Sequence, residues 1–224
     1  MSNELIKKPA FKIGAPIGLA ARKKAALATA TENGEVITQK PNEMPERIGI
    51  VFDDSGSMFG SLMTNAHAGV EEFLRSCNPR TTAVAVYPMN EKAMPLTTGL
   101  AVLSSLVTKL GPTGSTPLVE TLESMLVKEN ITRAIVFSDG CPDSSNTSTV
   151  VPTCRERKVP VDTVYIGSGD SKFLEKLAKD TGGIYLVFSG DKSNFRTAFK
   201  YLSPGYRAML ADKSFVDKLQ NGQV

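Results

Sequence analysis

Ile48–Phe52 reads IGIVF, and the five residues that follow, Asp53–Ser57, read DDSGS. A run with no polar alternation leaves no face for water, so a strand formed there is buried on both sides, as in the middle of a parallel sheet. Two acids then stand at its carboxyl end. Working outward, Leu62, Ala66, Val70, Phe73 and Cys77 repeat at helical spacing until Asn78–Pro79 breaks the pattern. Thr82–Tyr87 is a second β-rich run, Pro88–Lys92 holds turn residues, and Ala93–Thr98 reads as a short antiparallel edge strand. Further strands are predicted over Ala134–Phe137, Val161–Ile166 and Ile184–Phe188. Helices are predicted over Ala101–Lys109, from Leu118 past Leu126, before Arg157, over Phe173–Lys179 and Phe195–Leu202, with one more over Tyr206–Leu219. Strands that alternate with helices predict an α/β, three-layer, Rossmann-like sandwich whose sheet is mostly parallel. In such sheets the ligand crevice lies at the carboxyl ends of the strands.

Composition bounds the function. The chain has 224 residues, enough for one large domain or one domain with an arm, with 41% hydrophobic and 22% charged residues. A net charge of +3 demands no nucleic-acid partner. No run approaches the roughly 20 apolar residues of a membrane helix. Lys12 interrupts Phe11–Ala21, so no signal peptide is expected. Three cysteines, Cys77, Cys141 and Cys154, fit neither a disulfide framework nor a zinc knuckle and suggest a reducing, cytoplasmic setting. The single histidine, His67, leaves little scope for imidazole chemistry. Residues 1–46 read as an arm: basic residues outnumber acids, prolines punctuate it, and Ala20–Ala30 has helix propensity without an apolar stripe. The expected division is an arm over 1–46, an α/β domain over 47–202 and a helical extension over 203–224.

Three loops could carry chemistry: Asp53–Ser57, Gly114–Pro117 and Ser138–Gly140. All fall at the rim expected for a site, and all offer hard oxygen donors, which suit magnesium. Two hydroxyls two residues apart on a tight glycine turn can face one ion. An acid on a neighbouring strand end and a threonine from a third loop can complete the set. With only two carboxylates, such an ion keeps a position open to an outside carboxylate.

The segments IVFDDSGSM, GSTPL and VFSDG resemble those of the von Willebrand factor A domain, whose metal-ion-dependent adhesion site has the pattern D-x-S-x-S, then T, then D. The pattern is met by Asp53, Ser55, Ser57, Thr116 and Asp139. The resemblance spans about residues 47–202. It implies the same sandwich fold and metal-dependent protein binding, in which a bound Mg2+ (with Mn2+ or Ca2+ able to substitute) accepts an Asp or Glu carboxylate from a partner protein. It also implies the two serines as direct ligands, with Asp53 and Asp139 often acting through water and Thr116 joining or leaving with conformation. Met58–Asn65 has no acids, so the adjacent calcium of integrin-type relatives is not expected. Without paired terminal cysteines, the chain looks like the intracellular microbial or phage-encoded members.

Other readings compete. Thr116, ahead of Pro117, is also a good helix cap. Asp54 should point away from Asp53 toward solvent or stand behind the site, Asp143 should be a solvated rim acid, and His67 a surface or packing residue. Gly111–Thr116 lacks the lysine of a phosphate loop. Strands ending in Asp-Asp and Phe-Ser-Asp are also similar to haloacid-dehalogenase phosphatases, but position 55 is Ser where their general acid belongs. No enzyme is therefore expected. A structural reading, as a virion or ATPase-complex component held through the arm, is the other alternative.

Overall fold

The computed structural model describes residues 31–32, 35–36, 40–140, 142–167, 171–188 and 192–221. Most of the arm, including the helix-prone Ala20–Ala30, and Cys141 lie outside them. Thr31–Glu32 pairs antiparallel with Glu35–Val36. A turn at Pro41–Glu43 and the buried Met44 lead into the main sheet.

The sheet has six strands: β1 (Glu46–Phe52), β2 (Thr82–Pro88), β3 (Met94–Thr97), β4 (Arg133–Ser138), β5 (Val161–Ile166) and β6 (Tyr185–Phe188). They lie in the order β3-β2-β1-β4-β5-β6. All neighbours are parallel except β3, which runs antiparallel to β2 at the edge. The expected class is therefore the observed one.

The helices are α1 (Ser61–Ser76), α2 (Leu100–Val107), α3 (Leu118–Lys128), α4 (Val150–Glu156), α5 (Lys172–Thr181), α6 (Lys192–Leu202) and α7 (Lys213–Gln220). Successive strand side chains point to opposite faces, and both faces are apolar. Ile48, Ile50 and Phe52 join Val70 and Phe73 of α1, Leu103 of α2 and Phe199 of α6. Val51, Ala134 and Val136 join Leu118 and Leu122 of α3, Cys154 of α4 and Leu177 of α5. That two-sided burial is the three-layer sandwich. Among the described residues no helix is long and apolar enough to cross a membrane.

Pro152, which blurs the start of α4 in sequence, is its third residue, where a missing N–H costs no helical bond. The helix predicted over Tyr206–Leu219 is instead two pieces, a 3-10 turn at Arg207–Ala211 and then α7. Asp212 caps α7, its side chain accepting from the Ser214 N–H at 2.9 Å. Leu210 and Leu219 reach the core beneath α6.

The C-terminal stretch is also held by charge. Asp162, fully buried at the start of β5, accepts from Arg133 Nη1 at 3.2 Å, from Arg207 Nε at 3.1 Å and Nη2 at 3.0 Å, and from the Ile184 N–H at 2.9 Å. Arg133 Nη2 donates to the Leu202 carbonyl at 2.6 Å, closing the end of α6.

One glycine pair decides how α5 returns to the sheet. Gly182 ends the helix at φ +76°, and the Gly183 N–H bonds the Ala178 carbonyl at 2.8 Å. A Cβ on Gly183 would lie 1.9 Å from the Val161 carbonyl oxygen, a backbone atom that cannot move aside. Gly183→Ala should cost at least about 2 kcal/mol of stability, read by urea unfolding. A loss under about 0.5 kcal/mol would show that the β5–β6 connection shifts freely.

Candidate metal centre

The crossover from β3 to β4 makes β1 and β4 neighbours at the point where the strand order reverses, the place where parallel sheets open a crevice. Phe52 pairs with Phe137 in register, and the Asp53 N–H donates to the Phe137 carbonyl at 3.1 Å. The two strands thus end level, so Asp53 and Asp139 leave the sheet side by side.

Asp53 forms the floor and is fully buried. Its Oδ1 accepts from the Ser55 N–H at 2.9 Å, and its Oδ2 from the Ser138 hydroxyl at 2.6 Å. Ser138 Oγ also accepts from the Gly140 N–H at 3.2 Å. The turn Gly56–Met58 brings Ser55 Oγ within 3.0 Å of Ser57 Oγ, and Ser57 Oγ donates to Asp139 Oδ1 at 3.1 Å. Ser55 is buried, Ser57 exposed and Asp139 half-buried, so the cluster opens outward at Ser57.

The Gly114–Pro117 loop, which carries Thr116, is joined to the first loop where the Gly114 carbonyl accepts from the Gly56 N–H at 3.2 Å. Thr116 does not cap α3: Pro117 occupies the cap position, and no side chain caps that end. Its backbone is held by Asp143, whose Oδ2 accepts from the Thr116 N–H at 3.0 Å, while the Asp143 N–H donates to the Thr116 carbonyl at 2.9 Å. Asp143 is therefore a clasp on this loop as well as an exposed acid.

Burial pushes Asp139 above the usual carboxylate range; the Ser57 bond opposes this and the charge of Asp53 adds to it. Two acids drawn together and partly removed from water favour a cation between them. Two cis ligands of an octahedral ion at about 2.1 Å stand roughly 3 Å apart, and the 3.0 Å and 3.1 Å separations here match that edge. Among the described residues no cluster of three or more histidine, cysteine, aspartate or glutamate side chains could hold a metal, so the hydroxyls are indispensable to a site here. The donor set of hard oxygens fits a small divalent cation.

Other groups stay outside. His67 stacks on Phe52 with ring centroids 5.8 Å apart and 8° between planes, a packing role. Cys77 and Cys154 are buried free thiols, pushed up to about 12 and about 11 by burial, and are poor nucleophiles. Of the two places expected for Asp54, solvent is excluded: it is fully buried. Burial raises its pKa, and bonds from Asn90 lower it. Neither Ser138 nor Asn90 has an individual role in the sequence pattern; Ser138 carries a signal in its position beside Asp139, while Asn90 stands only among turn residues.

The chain belongs to the von Willebrand factor type A domain family, which matches residues 46–187. Among solved structures, it is similar to the conserved hypothetical protein BatB from Bacteroides thetaiotaomicron (14% identity, 74% of this chain and 98% of that one, TM-score 0.56). It is also similar to the vWF domain of the type V pili tip protein Mfa5 from Porphyromonas gingivalis (12% identity, 74% and 96%, TM-score 0.55). A third is the SpRpn10 VWA domain (15% identity, 72% and 96%, TM-score 0.54). At these identities the likeness is one of fold. No curated protein matches the chain.

Proposed function

We propose that the chain is a non-enzymatic, cytoplasmic protein-binding module that recognises its partner through a divalent ion, Mg2+ in the cell, held by Asp53, Ser55, Ser57, Thr116 and Asp139. The observation that carries this is the convergence of Ser55 Oγ, Ser57 Oγ and Asp139 Oδ1 at 3.0 Å and 3.1 Å, on segments 82 residues apart, over the buried Asp53. When bound, the ion supplies a Lewis-acidic position for an Asp or Glu side chain of the partner, offsetting the carboxylate's lost hydration.

The chain's own residues do the rest. Asp53 orients the turn through the Ser55 N–H and is locked by Ser138. Ser57 and Asp139 form the open edge. Phe59, directly after the turn and 80% exposed, offers an aromatic contact beside the carboxylate. Protein recognition is consistent with the pilus-tip relative, whose vWF domain has the same fold.

The test begins with Mn2+ titration followed by electron paramagnetic resonance or calorimetry. Wild type should bind one ion, and Ser57→Ala should bind it at least about tenfold more weakly with an unchanged melting curve. Partner capture should then be lost on adding EDTA. Stoichiometric Mn2+ binding that Ser57→Ala leaves intact, or capture that EDTA leaves intact, would show that recognition uses another surface, with the N-terminal arm the first to delete.

A further inference from the structure

A chain of contacts, buried at Asp54 and exposed at Ser115, links the Asp53–Ser57 loop to the Gly114–Pro117 loop. Asp54 Oδ1 accepts from the Asn90 N–H at 2.9 Å and from Asn90 Nδ2 at 3.2 Å. Asp54 Oδ2 is buried without a hydrogen-bond partner among the described residues. The Asp54 carbonyl accepts from the Thr113 N–H at 2.6 Å. Asn90, on the loop after β2, then grips both sides of Ser115: Nδ2 donates to the Ser115 carbonyl at 2.9 Å, and Oδ1 accepts from the Ser115 N–H at 3.2 Å. Gly114 fits this grip because it has no side chain; a Cβ there would lie 2.2 Å from Asn90 Oδ1, and its φ is +69°.

The chemistry is specific to asparagine. Its two amide hydrogens meet two acceptors, Asp54 Oδ1 and the Ser115 carbonyl, while its oxygen meets one donor. Aspartate would set carboxylate against carboxylate, and glutamine would be a methylene too long. Burying the Asp54 carboxylate costs free energy, which its hydrogen bonds from Asn90 partly offset. The residue these bonds immobilise is Ser115, and the next side chain is Thr116.

We propose that Asn90, anchored by Asp54, is a positioning residue that presents the Thr116 hydroxyl to the divalent ion. This rests on the metal reading above. Asp54 and Asn90 touch no ligand themselves; they act through the Ser115–Thr116 backbone.

The experiment is a cycle of four full-length proteins: wild type, Asn90→Ala, Thr116→Ala and the double variant. Each is titrated with Mn2+, and its metal-free amide exchange is followed over residues 113–118. Asn90→Ala and Thr116→Ala should each weaken Mn2+ by about five- to thirty-fold, and the double variant should bind no more weakly than Thr116→Ala alone. Exchange at Ser115 and Thr116 should quicken in Asn90→Ala while the β1 and β4 amides keep their protection. Asp54→Asn, which keeps an acceptor for both Asn90 donors, should bind Mn2+ like wild type, whereas Asp54→Ala should behave like Asn90→Ala. If Asn90→Ala does not fold, Asn90→Ser, too short to bridge Ser115, takes its place. Additive losses in the double variant, or faster exchange with unchanged Mn2+ affinity, overturn this inference alone. A wild type that binds no Mn2+ overturns the metal reading and this inference with it.

Discussion

Asp53→Ala is expected to lower divalent-ion affinity by at least about a hundredfold, the loss of nearly 3 kcal/mol of binding free energy, while the chain stays folded. Asp53 is the only fully buried carboxylate in the proposed donor set. Its two oxygens hold the Ser55 N–H and the Ser138 hydroxyl at 2.9 Å and 2.6 Å, fixing both the first loop and the strand end that carries Asp139. Removing it takes away half of the negative charge facing a dication and frees the turn that sets Ser55 against Ser57. On stability two effects oppose. Two donors lose a buried acceptor, at about 1–3 kcal/mol each. Against this, a desolvated charge beside Asp139 disappears, and with it part of what raises the Asp139 pKa. The melting temperature should therefore fall modestly, and Mn2+ titration should separate the two consequences. Affinity within threefold of wild type would remove Asp53 from the site. Partner binding should disappear together with the ion.

Asp162→Ala is expected to be the most destabilising change at the opposite end of the sheet, costing about 3–5 kcal/mol. One buried carboxylate takes four hydrogen bonds, three from guanidinium groups. Arg133 is 4% exposed, and burial already pushes its pKa down, with Asp162 the leading influence that holds it charged. Without that carboxylate, Arg133 keeps its bond to the Leu202 carbonyl but has lost its close ion-pair partner. Arg207 is released, and with it the turn that carries Leu210 into the core. Against a typical total of about 5–15 kcal/mol, the loss should be plain in urea unfolding, and amides of α6 and α7 should exchange first. Asp162→Asn keeps the shape and one acceptor, so it should fall between. A cost below about 1 kcal/mol for Asp162→Ala would mean that the arginines find water or another acceptor without disturbing the fold.

The two sites differ in how far they could be read from the chain. For the candidate metal loops, Asp53, Ser55 and Ser57 lie within five residues, and the resemblance supplies Thr116 and Asp139 by spacing. Nothing comparable marked Asp162, a single acid inside the apolar run VDTVYI, whose partners Arg133 and Arg207 stand 29 and 45 residues away.

The sequence by itself determined the strands of the main sheet and the helices packed on it up to Leu202, because IGIVF and its counterparts carry two-sided burial in their own composition, and α1 carries its apolar spacing in its own period. It determined the sheet's class, the carboxyl-end location of the candidate site and the oxygen chemistry of its donors. Only the tertiary structure decided that β1 and β4 are neighbours, so that Asp53 and Ser138, 85 residues apart, hold each other. It also decided that Asp54 is buried against Asn90, 36 residues on, rather than facing water. Alternation along a strand reveals a side chain's surroundings when one face is wet and the other dry. Here both faces are covered, and the acid's fate was settled by a loop that pattern alone could not bring to it.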